Sequence, residues 1–295
     1  MGNIKTPAFK PLDCDEMERS IQLCNGIEYL IDEFQRETNG KESSQLFNSE
    51  YQAHLLKIAS HLEELIHRLT YLAIQEKANI KLIVVCDDCK QETDLESDIK
   101  YEIAKYECIY VSEKIFLSLT NVVNPQGILA IVEKGKNAND IDYNENLFLV
   151  LDDIQDPGNM GTILRTADSL NFKQIIVSKD CADIYNPKVV RSTMGAIFRI
   201  NIIESDDLVK TIKEMKKHKI KILSTSLQTD KTMYNVSYDK TAIVIGNEAN
   251  GVEKEIIDLT DEKIKIPMPG KTESLNASVA TAVILYEAMR TQLNK

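Results

Sequence analysis

The sequence lacks any apolar run long enough to cross a membrane, and it lacks an N-terminal signal peptide. We therefore expect a cytoplasmic protein with no membrane-spanning segment. Its 295 residues are 43% hydrophobic and 27% charged, which is ordinary for a soluble globular chain and leaves room for two domains. No internal repeat is visible.

Metal-binding patterns are also missing. Six cysteines are scattered over a chain too long to need disulfide staples, so we expect reduced thiols. Cys86 and Cys89 form a lone C-x-x-C, whereas a structural zinc needs a second pair of ligands at similar spacing. Three histidines on one predicted helix, His54, His61 and His67, lack the H-E-x-x-H spacing. The sequence therefore predicts no metal site.

The common nucleotide loops are absent too. Gly246 and Gly251 have the spacing of the two glycines in a phosphate-binding loop, but Val252 and Glu253 stand where that loop needs a lysine and a hydroxyl. No G-x-G-x-x-G follows a predicted strand, which disfavours a nicotinamide-binding fold.

The net charge of -11 is confined to the first half of the chain. Residues 147–295 hold 20 basic and 20 acidic side chains, so the later half is neutral overall. Within it, five cations cluster in sequence around residues 159–165 and could contact phosphates: Lys173, Lys179, Lys188, Arg191 and Arg199. Ordinary solvated charges are the alternative interpretation.

One stretch, 148–170, combines a strand, a turn and a helix start. Residues 148–151 form a short apolar run, and residues 153–158 break it with Asp, Pro and Gly. We interpret Asn159 as the helix N-cap, followed by an apolar face of Ile163, Leu164 and Ala167. Arg165 lies off that face, so an amide and a cation project from one strand-to-helix junction.

Two later stretches repeat this arrangement. Residues 242–245 predict a buried strand, and a loop that contains glycines follows it. Residues 264–276 predict the end of a third strand, after which Ser274 or Asn276 opens the helix 277–293. Between these stretches we predict strands at 174–177 and 220–225 and helices at 186–198 and 208–217. The alternation indicates an α/β fold with a mostly parallel sheet and helices on both faces.

These three stretches together resemble the SPOUT superfamily of RNA methyltransferases, specifically the SpoU or TrmH family of ribose 2′-O-methyltransferases. The resemblance covers the chain from about Phe148 to Leu293. The first motif is carried by Asn159, Gly161 and Arg165, and the second by Gly246, Asn247, Glu248 and Gly251. The third is carried by Ile266, Pro267, Met268, Ser274, Leu275 and Asn276.

The resemblance implies a trefoil-knotted domain that binds S-adenosylmethionine, works as a homodimer and methylates RNA, rRNA in preference to tRNA. It also implies the catalytic set Arg165, Asn159, Glu248, Ser274 and Asn276. The implied cofactor set is Thr225, Gly246, Asn247, Ile266, Met268 and Leu275, with Lys188 and Arg191 on RNA. A tRNA 2′-O-methyltransferase, or an RNA-binding protein that keeps the fold without catalysis, is the alternative.

Arg165 is the residue that the resemblance makes responsible for activating the 2′-hydroxyl. A guanidinium stays protonated at ordinary pH, so it is poorly suited to act as a simple general base. We expect its fork of donors to grip the adjacent phosphate and to stabilise the developing alkoxide. For the homodimer, we expect the last helix to supply the interface, since it carries Val279, Val283, Tyr286 and Ala288.

The first half of the chain predicts a different organisation. Residues 1–79 predict an acidic helical extension, with helices at 13–37 and 49–77. Residues 80–134 predict strands at 81–85, 108–111 and 127–133 and helices at 95–106 and 113–119. This unit resembles the small α/β RNA-binding domain of the family, with Asn124 to Gly127 matching a turn. A polar linker, 135–146, then leads to a methyltransferase domain at 147–295.

Overall fold

The computed structural model of the protein describes residues 67–86, 101–120, 127–134, 140–272 and 274–293. The helix predicted at 13–37, most of the one at 49–77, residues 95–100 of the one at 95–106, residues 124–126 and residues 135–139 of the linker lie outside the described residues. No helix among the described residues is long and apolar enough to span a membrane.

The described residues up to 134, here called the small unit, form a three-stranded sheet with helices. Its helices are α1 (His67–Gln75) and α2 (Glu113–Leu119), and its strands are β1 (Ile80–Cys86), β2 (Cys108–Val111) and β3 (Ile128–Val132). β1 lies in the middle, parallel to β2 and antiparallel to β3. Leu69 and Ala73 of α1 are buried in one core with Ile83 of β1, so α1 packs on this sheet.

The described residues from 140 onward, here called the large unit, contain a six-stranded parallel sheet. Its strands are β4 (Leu147–Leu151), β5 (Gln174–Ser178), β6 (Asn201–Ser205), β7 (Lys221–Thr225), β8 (Thr241–Ile245) and β9 (Glu262–Ile264). Their order is β6-β5-β4-β8-β7-β9, and all pairs are parallel. The predicted parallel α/β architecture is confirmed, but strand β6 was not predicted.

Helices cover both faces of this sheet. They are α3 (Pro157–Ser169), α4 (Pro187–Thr193), α5 (Leu208–Lys217), α6 (Lys254–Ile257) and α7 (Ala277–Leu293). Leu149 and Leu151 of β4 share a core with α3, α4 and α7, whereas Phe148 and Val150 share one with α5 and α6. Alternate residues of β4 thus face opposite helical layers, which is why the strand is a continuous apolar run.

Helix α3 begins three residues earlier than predicted. Its N-cap is Asp156, whose carboxylate accepts the backbone N–H of Asn159 at 2.7 Å, and Pro157 takes the first helical position. Proline suits that position because its missing N–H would have no helical partner. The assignment of Asn159 as the N-cap is therefore wrong, and the amide side chain of Asn159 is available for other contacts.

The helix predicted at 186–198 is broken. Asn186 caps α4 as its side chain accepts the Lys188 N–H at 2.9 Å, but Met194 and Gly195 have φ of 50° and 86° and end the helix. A 3-10 turn, Ala196–Phe198, follows. A side chain at Gly195 would also meet Leu72 of α1, because an ideal Cβ there lies 2.9 Å from the Leu72 Cδ1.

Cys86, the last residue of β1, is disulfide-bonded, whereas Cys108 and Cys181 are free. The cysteine that is bonded to Cys86 therefore lies outside the described residues. The expectation of reduced thiols is wrong at Cys86, because chain size and compartment do not determine whether two thiols lie within bonding distance.

Gly161 gives a direct test of the contact between α3 and α4. An ideal Cβ on Gly161 would lie 2.4 Å from the Ser192 Cβ and 2.7 Å from the Val189 carbonyl oxygen. Gly161→Ala should therefore lower the free energy of unfolding by about 1–3 kcal/mol, measured by urea unfolding. Gly270→Ala is the control, because nothing lies within 4 Å of its Cβ position. A stabilised Gly161→Ala, as expected for an open helical position, would contradict the close contact.

Candidate active site

Three loops leave the same edge of the large sheet. Leu151 at the end of β4 pairs with Ile245 at the end of β8, and β7 separates β8 from β9. Because all these strands are parallel, the segments that follow β4, β8 and β9 emerge together at the carboxyl edge. In an open α/β sheet this edge is the usual place for a ligand site.

A short chain of hydrogen bonds joins the three segments. The Asn159 Nδ2 donates to the Glu248 Oε1 at 2.7 Å, and the Asn276 Nδ2 donates to the Asn159 Oδ1 at 3.0 Å. Each residue comes from a different motif, so the structure brings together three of the five predicted catalytic side chains. We call this chain the amide bridge.

The third member of the amide bridge is itself held by a helix. The Asn276 Oδ1 accepts the Ser278 N–H at 2.9 Å and the Ser278 hydroxyl at 2.7 Å at the start of α7. Of the two residues predicted to open this helix, Asn276 is the one that caps it. Its Nδ2 thus points to Asn159 from a fixed position, while Ser274 is exposed two residues earlier.

Asn247 fastens the loop after β8 to the loop after β4. Its Nδ2 donates to the backbone oxygen and to the Oδ2 of Asp153, at 2.9 and 3.1 Å. Its Oδ1 accepts the N–H groups of Ala249 and Asn250, at 2.8 and 3.1 Å. We predicted Asn247 as a cofactor ligand, and the structure shows that its side chain is already occupied within the protein.

Gly246 is required by its own loop. An ideal Cβ on Gly246 would lie 2.2 Å from both the Gly251 carbonyl carbon and the Val252 nitrogen, because the chain folds back through a bridge between Asn247 and Gly251. Gly251 has φ of 72°, which favours glycine. Any substitution at Gly246 must therefore disturb this loop, whatever it does to a ligand.

Two residues that the sequence did not single out, one buried and one partly buried, also support these loops. Asp152, 5% exposed, accepts the Glu253 N–H at 2.7 Å from the segment after β8. Burial raises the pKa of Asp152, and this hydrogen bond opposes the rise. The Cys181 sulfur accepts the Ile154 N–H at 3.3 Å, and burial raises the pKa of its thiol. Neither contact leaves a local signal in the sequence.

Arg165 lies in the middle of α3 with an exposed side chain, and it forms no hydrogen bond or ion pair with any described residue. Its guanidinium is thus available to a ligand, on the same helix as Asn159 of the amide bridge. Of the two cations predicted to bind RNA, Lys188 lies 3.9 Å from the Asp156 carboxylate and Arg191 is half-buried on the same helix, α4.

Lys173 and Arg199 are two of the five cations that cluster in sequence around residues 159–165. In the structure they are paired with acidic side chains, so they do not form a phosphate-binding group with the first motif. Lys173 precedes β5 and so lies at the amino edge of the sheet, where it pairs with Glu145 at 3.6 Å. Arg199 forms ion pairs with Asp168 and Glu76, at 2.7 and 3.2 Å.

The remaining predicted cofactor residues lie after β7 and β9. Thr225 ends β7 and donates to the Val244 oxygen at 3.3 Å. Ile266 and Met268 are half-buried, and Leu275 is 36% exposed. Leu227, 63% exposed just after β7, adds an apolar side chain that the sequence reasoning missed. No group of three or more His, Cys, Asp or Glu side chains among the described residues could hold a metal ion.

Comparison with known proteins identifies the architecture. A family model described as the SpoU rRNA Methylase family matches residues 146–286, which include all three loops. The chain is 31% identical over 219 residues to the 23S rRNA (guanosine(2553)-2′-O)-methyltransferase RlmP of Bacillus subtilis, covering 72% of this chain and 82% of that protein. The chain belongs to the SpoU rRNA methylase family.

Other family members agree with this placement. The 23S rRNA (guanosine-2′-O-)-methyltransferase RlmB of Vibrio parahaemolyticus is 36% identical over 178 residues, 58% of this chain and 72% of that one. The structure of the SpoU methyltransferase AviRb from Streptomyces viridochromogenes, solved in complex with AdoMet, superposes with a TM-score of 0.70 at 26% identity. It covers 84% of this chain and 99% of AviRb.

The buried Asp152 of this SpoU family chain predicts a pH effect on stability. Its pKa is raised in the folded state, so stability falls as pH rises from the ordinary aspartate value of about 3.9 through the folded value. Asp152→Asn keeps an acceptor for the Glu253 N–H and removes the ionisation. Its free energy of unfolding, relative to the parent, should therefore increase between about pH 4 and about pH 8 in urea unfolding.

Glu287→Gln provides a control of opposite sign. The hydrogen bond from Arg290 holds the pKa of Glu287 below its usual range, so the stability that it contributes is present at neutral pH and is lost as pH falls. This variant should be less stable than the parent at about pH 8, and the difference should shrink as pH falls below the usual glutamate value of about 4.3. A flat profile for Asp152→Asn, or slopes of the same sign for both variants, would refute the assigned burial effect.

Proposed function

We propose that the chain transfers a methyl group from S-adenosylmethionine to a ribose 2′-hydroxyl of RNA, and that its substrate is 23S rRNA. The amide bridge carries this proposal, because it joins one side chain from each of the three family motifs, and the helix that carries Asn159 also carries Arg165. The names of RlmP and RlmB support rRNA over tRNA as the substrate.

The carboxyl edge fits the cofactor. Leu227 and Leu275 expose apolar side chains next to β7 and after β9, where the flat faces of an adenine would shield them from water. Backbone groups of the loops at Gly246, Ile266 and Met268 can reach polar atoms of a ligand without side chains in between. When bound, the cofactor supplies an activated sulfonium methyl group, so the protein has only to align the hydroxyl and assist loss of its proton.

The protein side of the reaction is assigned to Arg165 and the amide bridge. The guanidinium holds the phosphate next to the target ribose and stabilises negative charge on the 2′-oxygen as its proton leaves. We assign to four side chains the role of holding the loops in a fixed position relative to Arg165: Asn159, Glu248, Asn276 and Ser274. The 2′-hydroxyl would lose its proton to solvent water, and its oxygen would bond to the methyl carbon that the cofactor supplies. The cofactor would leave as the neutral thioether, which keeps the electron pair of the broken bond.

RNA would contact the protein in two places. Lys188 and Arg191 on α4 lie beside α3 and can reach phosphates that flank the target nucleotide. We propose that the small unit is a second RNA-binding surface. The sequence placed this domain at 80–134, and we extend it to include α1 because Leu69 and Ala73 belong to its core. The acidic residues 1–79 are assigned to selection of RNA or a partner.

A trefoil knot in the large unit is part of the proposal. β9 is the outermost strand, yet the chain after it returns to the end of β4, where Asn276 meets Asn159. Ile284 and Leu285 of α7 then share a core with Ile163 of α3. A chain that returns in this way crosses the ends of β7 and β8. An experimental structure traced through residues 240–293 would test the crossing, and an unthreaded trace would exclude the knot.

Helix α7 is proposed as a homodimer interface. Val279, Tyr286 and Leu293 repeat every seven residues and are 48%, 65% and 75% exposed, so one apolar stripe faces outward. Ala288, which we had also expected at the interface, is fully buried against the core. Light scattering on the full chain tests this assignment, and an active monomer at micromolar concentration would overturn it. We also propose a cytoplasmic location, where ribosomal RNA is found.

The function is tested by mapping ribose methylation in rRNA and tRNA transcripts incubated with the protein and S-adenosylmethionine. The parent should methylate a 2′-hydroxyl of 23S rRNA. Arg165→Lys keeps the charge but loses the fork, so single-turnover transfer should slow by a factor equivalent to about 3 kcal/mol, the effect of one oxyanion donor.

Affinity for S-adenosylhomocysteine, measured by calorimetry, is the control and should be the same in both proteins. An Arg165→Ala variant as fast as the parent would exclude this active site. Methylation of tRNA alone would replace 23S rRNA as the substrate.

A further inference from the structure

Arg199 connects the two units of the protein. It follows the 3-10 turn after α4 and binds the Asp168 carboxylate of α3 with two nitrogens, its Nη2 at 2.7 Å and its Nε at 3.0 Å. Its Nη1 donates to the Glu76 Oε1 at 3.2 Å, just after α1 of the small unit. One guanidinium thus bridges a carboxylate of the large unit and a carboxylate of the small unit.

Apolar contacts surround this bridge. Val190 of α4 is fully buried in the core of the small unit, together with Leu69 of α1, and Ile197 and Phe198 pack against that core. The backbone at Gly195 lies close to Leu72, because an ideal Cβ on Gly195 would come within 2.9 Å of the Leu72 Cδ1 and 3.2 Å of the Leu72 Cβ. The small unit therefore completes its core with residues of the large unit, which is inconsistent with two units that tumble independently.

The helix that contacts the small unit also contacts the helix of the active site. α4 packs on α3 at Gly161, with the Val189 carbonyl and Ser192 against it, and α3 carries both Asn159 and Arg165. A continuous path of packed helices therefore runs from α1 through α4 to the guanidinium of Arg165.

We propose that Arg199 is a positioning residue that fixes the small unit in one orientation against the large unit. RNA held on the small unit then reaches Arg165 from a set direction. This inference rests on the proposed function for the role of the RNA, whereas the docking itself rests on the contacts above. It assigns Arg199 to the contact between the units and not to the RNA phosphates.

Glu76→Gln separates these two roles. The substitution removes the charge of the small-unit partner and leaves the Arg199–Asp168 pair in place. If Arg199 docks the units, KM for a 23S rRNA transcript should rise about two- to fivefold, the range for a partly exposed ion pair, with kcat and S-adenosylhomocysteine affinity unchanged. If Arg199 binds phosphate, its release should lower KM. A KM equal to or below that of the parent therefore overturns the proposal.

Glu102→Gln is the matched control. Glu102 pairs with Lys105 at 2.6 Å within the small unit, with no link to the large unit, so its KM should stay at the parent value. Arg199→Ala removes both pairs and should raise KM further, by about tenfold, while Arg199→Lys, which keeps only the charge, should restore part of the loss.

Amide hydrogen exchange without RNA gives an independent result. Arg199→Ala should speed exchange at the end of α1 next to Glu76 relative to the parent, because one contact that holds α1 against the large unit is lost, and Glu102→Gln should not. Unchanged exchange there in Arg199→Ala would contradict the docking role. If the parent transfers no methyl group to the transcript, the proposed function fails, and the exchange comparison still decides whether Arg199 docks the units.

Discussion

The active-site edge depends on one amide side chain. Asn159 donates to Glu248 and accepts from Asn276, so a single group satisfies an acceptor on one loop and a donor on another. A carboxylate at this position could not donate, and a hydroxyl would be too short to reach both. Each hydrogen bond contributes only about 1 kcal/mol, so the value of the bridge lies in the geometry that it imposes on three segments far apart in sequence.

The motif glycines serve this geometry indirectly. Gly161 lets α3 approach α4, and Gly246 lets the loop after β8 fold back on itself, because in both places a methyl group would overlap backbone atoms. Asp152 and Asn247 then attach that loop to the end of β4. The motifs thus combine polar groups at the carboxyl edge with small residues that allow the backbone to hold them there.

The local pattern of apolar and polar residues was sufficient to predict much of the fold. The apolar runs predicted β4 and β8, the bounds of α5 and α7 were predicted correctly, and Ile163, Leu164 and Ala167 form the buried face of α3 as expected. The start of α3 was missed although Asp156 and Pro157 carry a recognisable cap signal. The break at Gly195, the disulfide at Cys86 and the burial of Asp152 depend on contacts between distant residues, which periodicity and spacing do not encode.

A reciprocal exchange across the amide bridge tests this account most directly. Asn159→Asp removes a donor and sets two carboxylates against each other, so this variant should bind S-adenosylhomocysteine more weakly by calorimetry. Glu248→Gln keeps an oxygen that can accept from Asn159, so this variant alone should lose little affinity. The double variant restores a donor at 248 and an acceptor at 159, so its affinity should recover towards that of the parent. A double variant that binds as weakly as Asn159→Asp, or an Asn159→Asp variant that binds like the parent, would contradict a site organised by Asn159.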